Sequence, residues 1–320
     1  MECTRRMAIG GLAGAVAAAA VQAQRPQVKT WRPKLGIYCR YSRANMEFAR
    51  QEGFTCVQLA VEKGGLSETF TDEQIASFAS DMQRSGLLLA ALGAPGNHLD
   101  PDPAARARFN ARYVKILELA GKLGVPYVGG SSGAIPGRSF AAQIPEIVRL
   151  YEEKYFPVCE KYKVRILWEP HVNPGNIATS PVGFSALFKA FHDSPHVGLQ
   201  LDPSHLVWQM IDPAECVREF AGRIFNIHLK DTEILWPVLR RAGVQAQDGT
   251  RWWRFRLPGN GAIDWKGFFT ALADTGYSGA MNIENEDTFY YPNYNGADFT
   301  ESFKNGFRVA HAYLKQFVPQ

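Results

Sequence analysis

The sequence predicts a single (β/α)8 barrel with an extended loop after its seventh strand. Three observations lead there. A short apolar run, a polar loop and an amphipathic segment recur along the chain, and the apolar runs number eight: KLGIYCRY, FTCVQLAV, GLLLAALGAP, VPYVGGSS, VRILWEP, VGLQLDP, IFNIHLKD and GAMNIENE. These runs are close to continuously apolar, as parallel strands covered on both faces must be. No linker or low-complexity segment divides residues 34–320, and a 320-residue chain with 46% hydrophobic and 21% charged residues can fill one large core.

The elements follow in order. Residues 1–23 have the layout of an export signal: Arg5-Arg6, an apolar Gly/Ala-rich stretch from Met7 to Val21, then Val21-Gln22-Ala23 with small residues at the cleavage-recognition positions. The apolar stretch is short for a membrane span, and the paired arginines make the signal twin-arginine-like. The expected product is an exported, periplasmic protein with no stable membrane anchor after cleavage. Residues 24–33 are a Pro-containing lead. Helical patterns then occupy 71–85, 103–123, 143–162, 181–193 and 213–221. Thr71-Asp72-Glu73 suits a helix start, Pro103 and Pro213 suit first-turn positions after an aspartate, and Gly86 and Gly124 read as stops. Residues 232–258 are too long for a simple connection and read as a loop with an inserted helical turn or a lid.

Net charge is +4 with basic residues scattered, so no electrostatic case exists for nucleic acid. Cys39, Cys56, Cys159 and Cys216 have no CxxC spacing and are expected as buried free thiols; Cys3 belongs to the signal.

Chemistry in such a barrel sits at the C-terminal strand ends. The fifth strand ends in Trp168-Glu169-Pro170-His171, the sixth in Asp202-Pro203-Ser204-His205, the seventh in His228-Leu229-Lys230-Asp231 and the eighth in Glu284-Asn285-Glu286-Asp287. Singly, Asp202 reads as a helix cap, His228 as a hydrogen-bonded core histidine and Glu284 as a rim residue. Together, on neighbouring strands about 4.8 Å apart, three carboxylates and an imidazole converge. One imidazole cannot neutralise three carboxylates, whereas a divalent cation can. Glu169, Asp202, His228 and Glu284 form an oxygen-rich set with one nitrogen, suited to one Mn, Co, Mg or Zn ion rather than to a structural thiolate zinc. Lys230 and Asp231 read as charges that support this shell.

WEP at 168–170, LDPSH at 201–205, HLKD at 228–231, PGNGAIDW at 258–265 and NIENE at 282–286 together resemble the xylose-isomerase-like TIM barrel superfamily. This is the group of sugar isomerases and epimerases that extends to endonuclease IV, and the resemblance spans roughly residues 34–316. The resemblance to its ketose 3-epimerases implies that Glu169, Asp202, His228 and Glu284 bind one divalent metal. It implies that Glu169 and Glu284 are the catalytic proton-transfer pair, and that His205 hydrogen-bonds the sugar. Arg254 and Arg256 precede the Gly259-Asn260-Gly261 turn where those epimerases carry a substrate arginine, although neither is in the matching register. Asn97-His98 resembles the segment after the third strand of endonuclease IV, and here His98 is expected to line the pocket, with Lys230 as a further substrate contact. The endonuclease's Asp-x-His pair is absent from 232–258, against a three-zinc cluster.

The function these residues imply is a divalent-metal-dependent sugar isomerase or epimerase working through an enediolate. Export and the absence of a phosphate-binding glycine loop favour an unphosphorylated sugar or sugar derivative. A 3-keto-glycoside lyase using the same enolisation is the main alternative. A non-catalytic sugar-binding protein and an abasic-site nuclease stand behind it. The aromatic segments RWWRFR (251–256) and DTFYYPNYNG (287–296) read either as a face for a larger glycoside or as loop packing. The expected partner is a small carbohydrate, with no nucleic acid, and with a homo-oligomer left open.

Overall fold

The computed structural model describes residues 31–62, 64–290 and 298–319. The expected signal 1–23, the lead up to residue 30 and most of the second aromatic segment lie outside the described residues. Among the described residues, no helix is long and apolar enough to cross a membrane.

Among the described residues ten strands are present: β1 (Lys34–Cys39), β2 (Cys56–Ala60), β3 (Leu88–Gly93), β4 (Tyr127–Gly130), β5 (Arg165–Trp168), β6 (Val197–Leu201), β7 (Ile224–Leu229), β8 (Asp231–Ile234), β9 (Trp253–Arg256) and β10 (Ala280–Ile283). Eight of them close a parallel barrel in the order β1-β10-β7-β6-β5-β4-β3-β2. Closure is made by β1 against β10, with Leu35 opposite Met281 and Ile37 opposite Ile283. The barrel strands are buried almost throughout, and helices between them cover the outside, so the continuous apolar runs mark doubly covered strands.

The helix starts follow local chemistry. Thr71 and Gln74 form a reciprocal capping box at the helix Asp72–Ser85, and Gly86 ends it in the left-handed region at φ 69°. Asp102 accepts from Ala104 N before Pro103, and Asp212 accepts from Ala214 N before Pro213. The helical pattern expected over 143–162 is interrupted. A helix Phe140–Leu150 passes through a π-helical turn Tyr151–Tyr155 into a helix Phe156–Tyr162. The extra residue in that turn brings Tyr151 and Tyr155 inward, both fully buried.

The segment after β7 differs from the expected loop. β8 and β9 form an antiparallel pair, with Thr232 opposite Phe255 and Ile234 opposite Trp253, and a helix Trp236–Ala242 lies between them. The four cysteines of the described barrel are buried and free, as expected.

Candidate metal centre at the barrel mouth

Period-two alternation explains how the ligands arise. Trp168 points outward against Tyr151 and Phe188, so the next residue, Glu169, turns inward at the mouth. His228 and Lys230 are two apart at the end of β7 and face the same interior. Asp202 leaves β6 and starts the helix Pro203–Val207, its Oδ1 accepting from Ser204 N at 2.9 Å. Asp202 is thus both the cap and part of the convergent set.

Ligand atoms of Glu169, Asp202, His228 and Glu284 all lie within 4.8 Å of one another. His228 Nδ1 is 3.0 Å from Glu169 Oε1 and 3.2 Å from Glu284 Oε2. Lys230 Nζ is 2.5 Å from Glu284 Oε2, 2.7 Å from Glu286 Oε2 and 3.2 Å from Asp202 Oδ2. Among the described residues Asp202 Oδ2 is buried without a hydrogen bond, because the nearby lysine is not aligned to donate to it. An orphaned carboxylate oxygen inside an oxygen-rich donor set fits a divalent cation better than a closed ion-pair network.

The charges respond accordingly. Burial raises the Asp202 carboxyl, with Glu284 and Glu169 adding to the effect against the opposing Lys230, to about 7. Burial works against the His228 imidazolium, yet Glu169 and Glu284 outweigh it and carry the group up to about 10. Burial also opposes ionisation of Glu284, but Lys230 and His228 together hold it well below the usual carboxylate range. His205, buried and facing Lys230, is pushed well below the ordinary histidine value and is neutral. In these surroundings any added cation meets carboxylates concentrated at one point.

Above these groups is a cavity of about 360 Å³, lined by Tyr38, Arg40, Glu62, His171, His205 and Lys230 among others. That volume is in the range of small-molecule sites. Tyr38 stacks on His228, with ring centroids 5.0 Å apart. His205 is buried, its Nε2 3.5 Å from Asp202 Oδ2 and 3.9 Å from Glu169 Oε1, and its ring packs against His171 and Phe255.

The structure brings Glu169, Asp202, His228, Glu284, His205 and Lys230 to one place and leaves three other expected residues out of it. His98 does not line the cavity. It is fully buried in an aromatic cluster with Tyr113, Tyr151 and Tyr155, its Nδ1 2.9 Å from Tyr155 Oη. Arg254 and Arg256 face away from the mouth. Arg254 pairs with Glu233, while Arg256 bridges Glu233 and Asp287. Alternation along β9 puts Phe255 on the opposite side, where its ring meets His205 and lies 4.3 Å from Lys230 Nζ. Trp253 on that same side stacks on Trp208 and is covered by Arg251, so RWWRFR is chiefly packing. Asp231 is no part of the ligand shell. It accepts from Thr232 N, Gly259 N, Ile263 N and Trp265 Nε1 and ties the start of the insertion to its end.

Sequence reasoning missed Tyr38 and the amides Gln58 and Gln200 beneath these groups. The signal for the amides was present: each is a lone polar residue inside an apolar strand, CVQLA and VGLQL. On a strand buried on both faces such a residue must find a partner.

A closed eight-stranded barrel with an acidic and imidazole cluster at its C-terminal mouth defines a class of metal-competent barrels. The match to the family model described as xylose isomerase-like TIM barrel covers residues 46–303, and the chain belongs to that family. The chain is similar to the uncharacterized protein YfiH of Bacillus subtilis, 28% identical over 280 residues that cover 78% of this chain and 84% of that one. It is 31% identical to the inosose dehydratase of Clostridium botulinum over 126 residues, a match spanning 39% of this chain and 41% of the dehydratase. The solved structure of a D-psicose 3-epimerase, crystallised in the presence of D-fructose, superposes with a TM-score of 0.67 at 17% identity, over 89% of this chain and 99% of that one, a likeness of fold.

Proposed function

We propose that the protein is a divalent-metal-dependent isomerase or epimerase acting on an unphosphorylated sugar or sugar derivative by enediolate proton transfer. The observation that carries this reading is the convergence of Glu169, Asp202, His228 and Glu284 within 4.8 Å at the floor of a cavity of substrate size. These four side chains would hold the ion. When bound, the ion supplies Lewis-acid polarisation of a carbonyl and hydroxyl pair.

The remaining chemistry belongs to the chain. Glu284 is held ionised by Lys230 and His228 and serves as the base that takes a proton from the carbon beside the carbonyl. Glu169 returns a proton from its side of the cavity. His205 is neutral and buried, so it positions a sugar hydroxyl without adding charge. Lys230 offsets the carboxylates and presents a fixed positive charge at the edge of the cavity. Tyr38 supplies an apolar wall against which a sugar ring packs, and Phe255 backs His205 and Lys230.

A second reading, a lyase on 3-keto-glycosides, shares the first proton abstraction and differs in losing a substituent instead of regaining a proton. The partial similarity to an inosose dehydratase, by name an enzyme that loses water, favours keeping it. The twin-arginine-like start supports export to the periplasm, where free glycosides are the more accessible substrates.

The deciding experiment incubates the metal-loaded protein in heavy water with free ketoses and with 3-keto-glycosides, and follows carbon-bound deuterium and products by NMR. Deuterium incorporation with a retained skeleton supports the epimerase, and release of the C1 substituent supports the lyase. Glu169→Gln and Glu284→Gln should each abolish turnover. Full activity in both variants, or tight sugar binding without any exchange, would refute the enzymatic assignment.

A further inference from the structure

The ligands rest on a layer of buried amides whose hydrogen bonds run in one direction. Glu169 Oε2 accepts from Gln200 Nε2 at 3.0 Å. Glu169 Oε2 is the acceptor in this contact, so Gln200 turns its NH2 toward Glu169 and its oxygen away. That oxygen accepts from Gln58 Nε2 at 2.8 Å and from Asn226 Nδ2 at 2.9 Å. Gln58 must then aim its own Oε1 at His228 Nε2, 3.0 Å away, and the same oxygen accepts from Asn226 Nδ2 at 2.5 Å. Asn282 Nδ2 donates to Asn226 Oδ1 at 3.0 Å, which fixes the orientation of Asn226 as well. Gln58, Gln200, Asn226 and Asn282 are all buried, so none can exchange its partner for bulk water. Gly129 leaves the space that the Gln200 carboxamide fills, since a Cβ there would overlap it.

An amide oxygen facing a ring nitrogen is satisfied only when that nitrogen carries a proton. We infer that Gln58 is a positioning residue that holds His228 in its Nε2–H form. Its orientation is dictated through Gln200 by the carboxylate of Glu169. Nδ1 is thereby the nitrogen turned toward Glu169 Oε1 and Glu284 Oε2, where it would serve as the ligand atom once a cation is bound. The relay therefore sets the ring orientation that turns Nδ1 toward the cation site, and it makes two candidate ligands on different strands orient each other. The inference rests on His228 being a metal ligand, as proposed above.

The test uses zinc, which is diamagnetic. The zinc-loaded full protein with 15N-labelled histidine is examined by NMR, and zinc affinity is measured by competition with a chromophoric chelator. Wild type should show His228 protonated on Nε2, with a slowly exchanging ring proton. Gln58→Met is close in size but cannot accept that hydrogen bond. It should weaken zinc binding about 10–100-fold and speed exchange of the ring proton. Gln58→Glu keeps an acceptor and should restore the slowly exchanging proton, which a merely space-filling role would not predict. A wild-type His228 protonated on Nδ1 would overturn the inference. So would a Gln58→Met protein with wild-type zinc affinity and ring-proton exchange, or a Gln58→Glu protein in which the slow proton is not restored. Failure of wild type to bind zinc would instead remove the metal reading itself, so the two failures are distinguishable.

Discussion

His98 provides a sharp quantitative test, because the structure moves it from the cavity to the packing. Tyr155 Oη donates to Asn110 Oδ1 at 2.8 Å, so its oxygen must accept from His98 Nδ1–H. Nε2 is then a buried nitrogen that finds no hydrogen-bond partner among the described residues. Burial lowers the group from 6.5 to about 3. The folded pKa is depressed, so the unfolded chain binds the proton first as pH falls. The associated stability is fully present above pH 6.5 and is lost as pH drops toward 3. Each pH unit within that window costs about 1.4 kcal/mol, so lowering the pH from neutrality to roughly 4.5 removes on the order of 2–3 kcal/mol through this one group. Urea unfolding of wild type and His98→Gln at the two pH values isolates it, since other titrating groups cancel in the comparison. The variant should be less stable at neutral pH, yet lose roughly 2–3 kcal/mol less on acidification. Its KM should match wild type. Parallel acid sensitivity in the two proteins, or a raised KM in the variant, would refute the structural role.

Removing bound metal with a chelator should lower the melting temperature by several degrees, since an ion at about 100 times its Kd contributes about 2.7 kcal/mol; Asp202→Asn should largely abolish that difference in calorimetry. Phe255→Ala should raise KM by loss of the wall beside His205. Arg254→Ala, which breaks a half-exposed pair with Glu233, should change stability by less than about 1 kcal/mol and leave KM unaltered. Asp231→Ala removes the acceptor of four donors and should cost about 3 kcal/mol in urea unfolding, with the loss of protection in hydrogen exchange concentrated at 231–265.

The barrel and the convergent polar set at its mouth were legible because both arise from features local in sequence. Doubly buried strands are apolar end to end, and a charged residue closing such a run, as Glu169 closes RILW, has only the mouth to go to. The rest required tertiary information. Burial on both faces erases alternation, so nothing in CVQLA or VGLQL reveals that Gln58 and Gln200 point inward and meet. The β8–β9 pair was hidden because its strands are four residues each and carry charges. Once they pair, alternation assigns Phe255 to the site and Arg254 and Arg256 to the outside. His98 was misplaced because its partners come from a π-helical turn at Tyr151–Tyr155, whose extra residue no simple helical period reveals.

The clamp at Asp231 has an implication for how this chain can change. It receives donors from both ends of the excursion, Thr232 on one side and Gly259, Ile263 and Trp265 on the other. Gly261 packs directly on the carboxylate, where a Cβ would overlap it. The excursion therefore leaves and re-enters the barrel through one fixed gate. Doubling or halving the length between those anchors alters the closure entropy by only about 0.6 kcal/mol. Segments of different length and composition can be grafted there without disturbing the strands that carry Glu169, Asp202, His228 and Glu284. Selectivity is thus open to diversification on a module that the chemistry does not depend on.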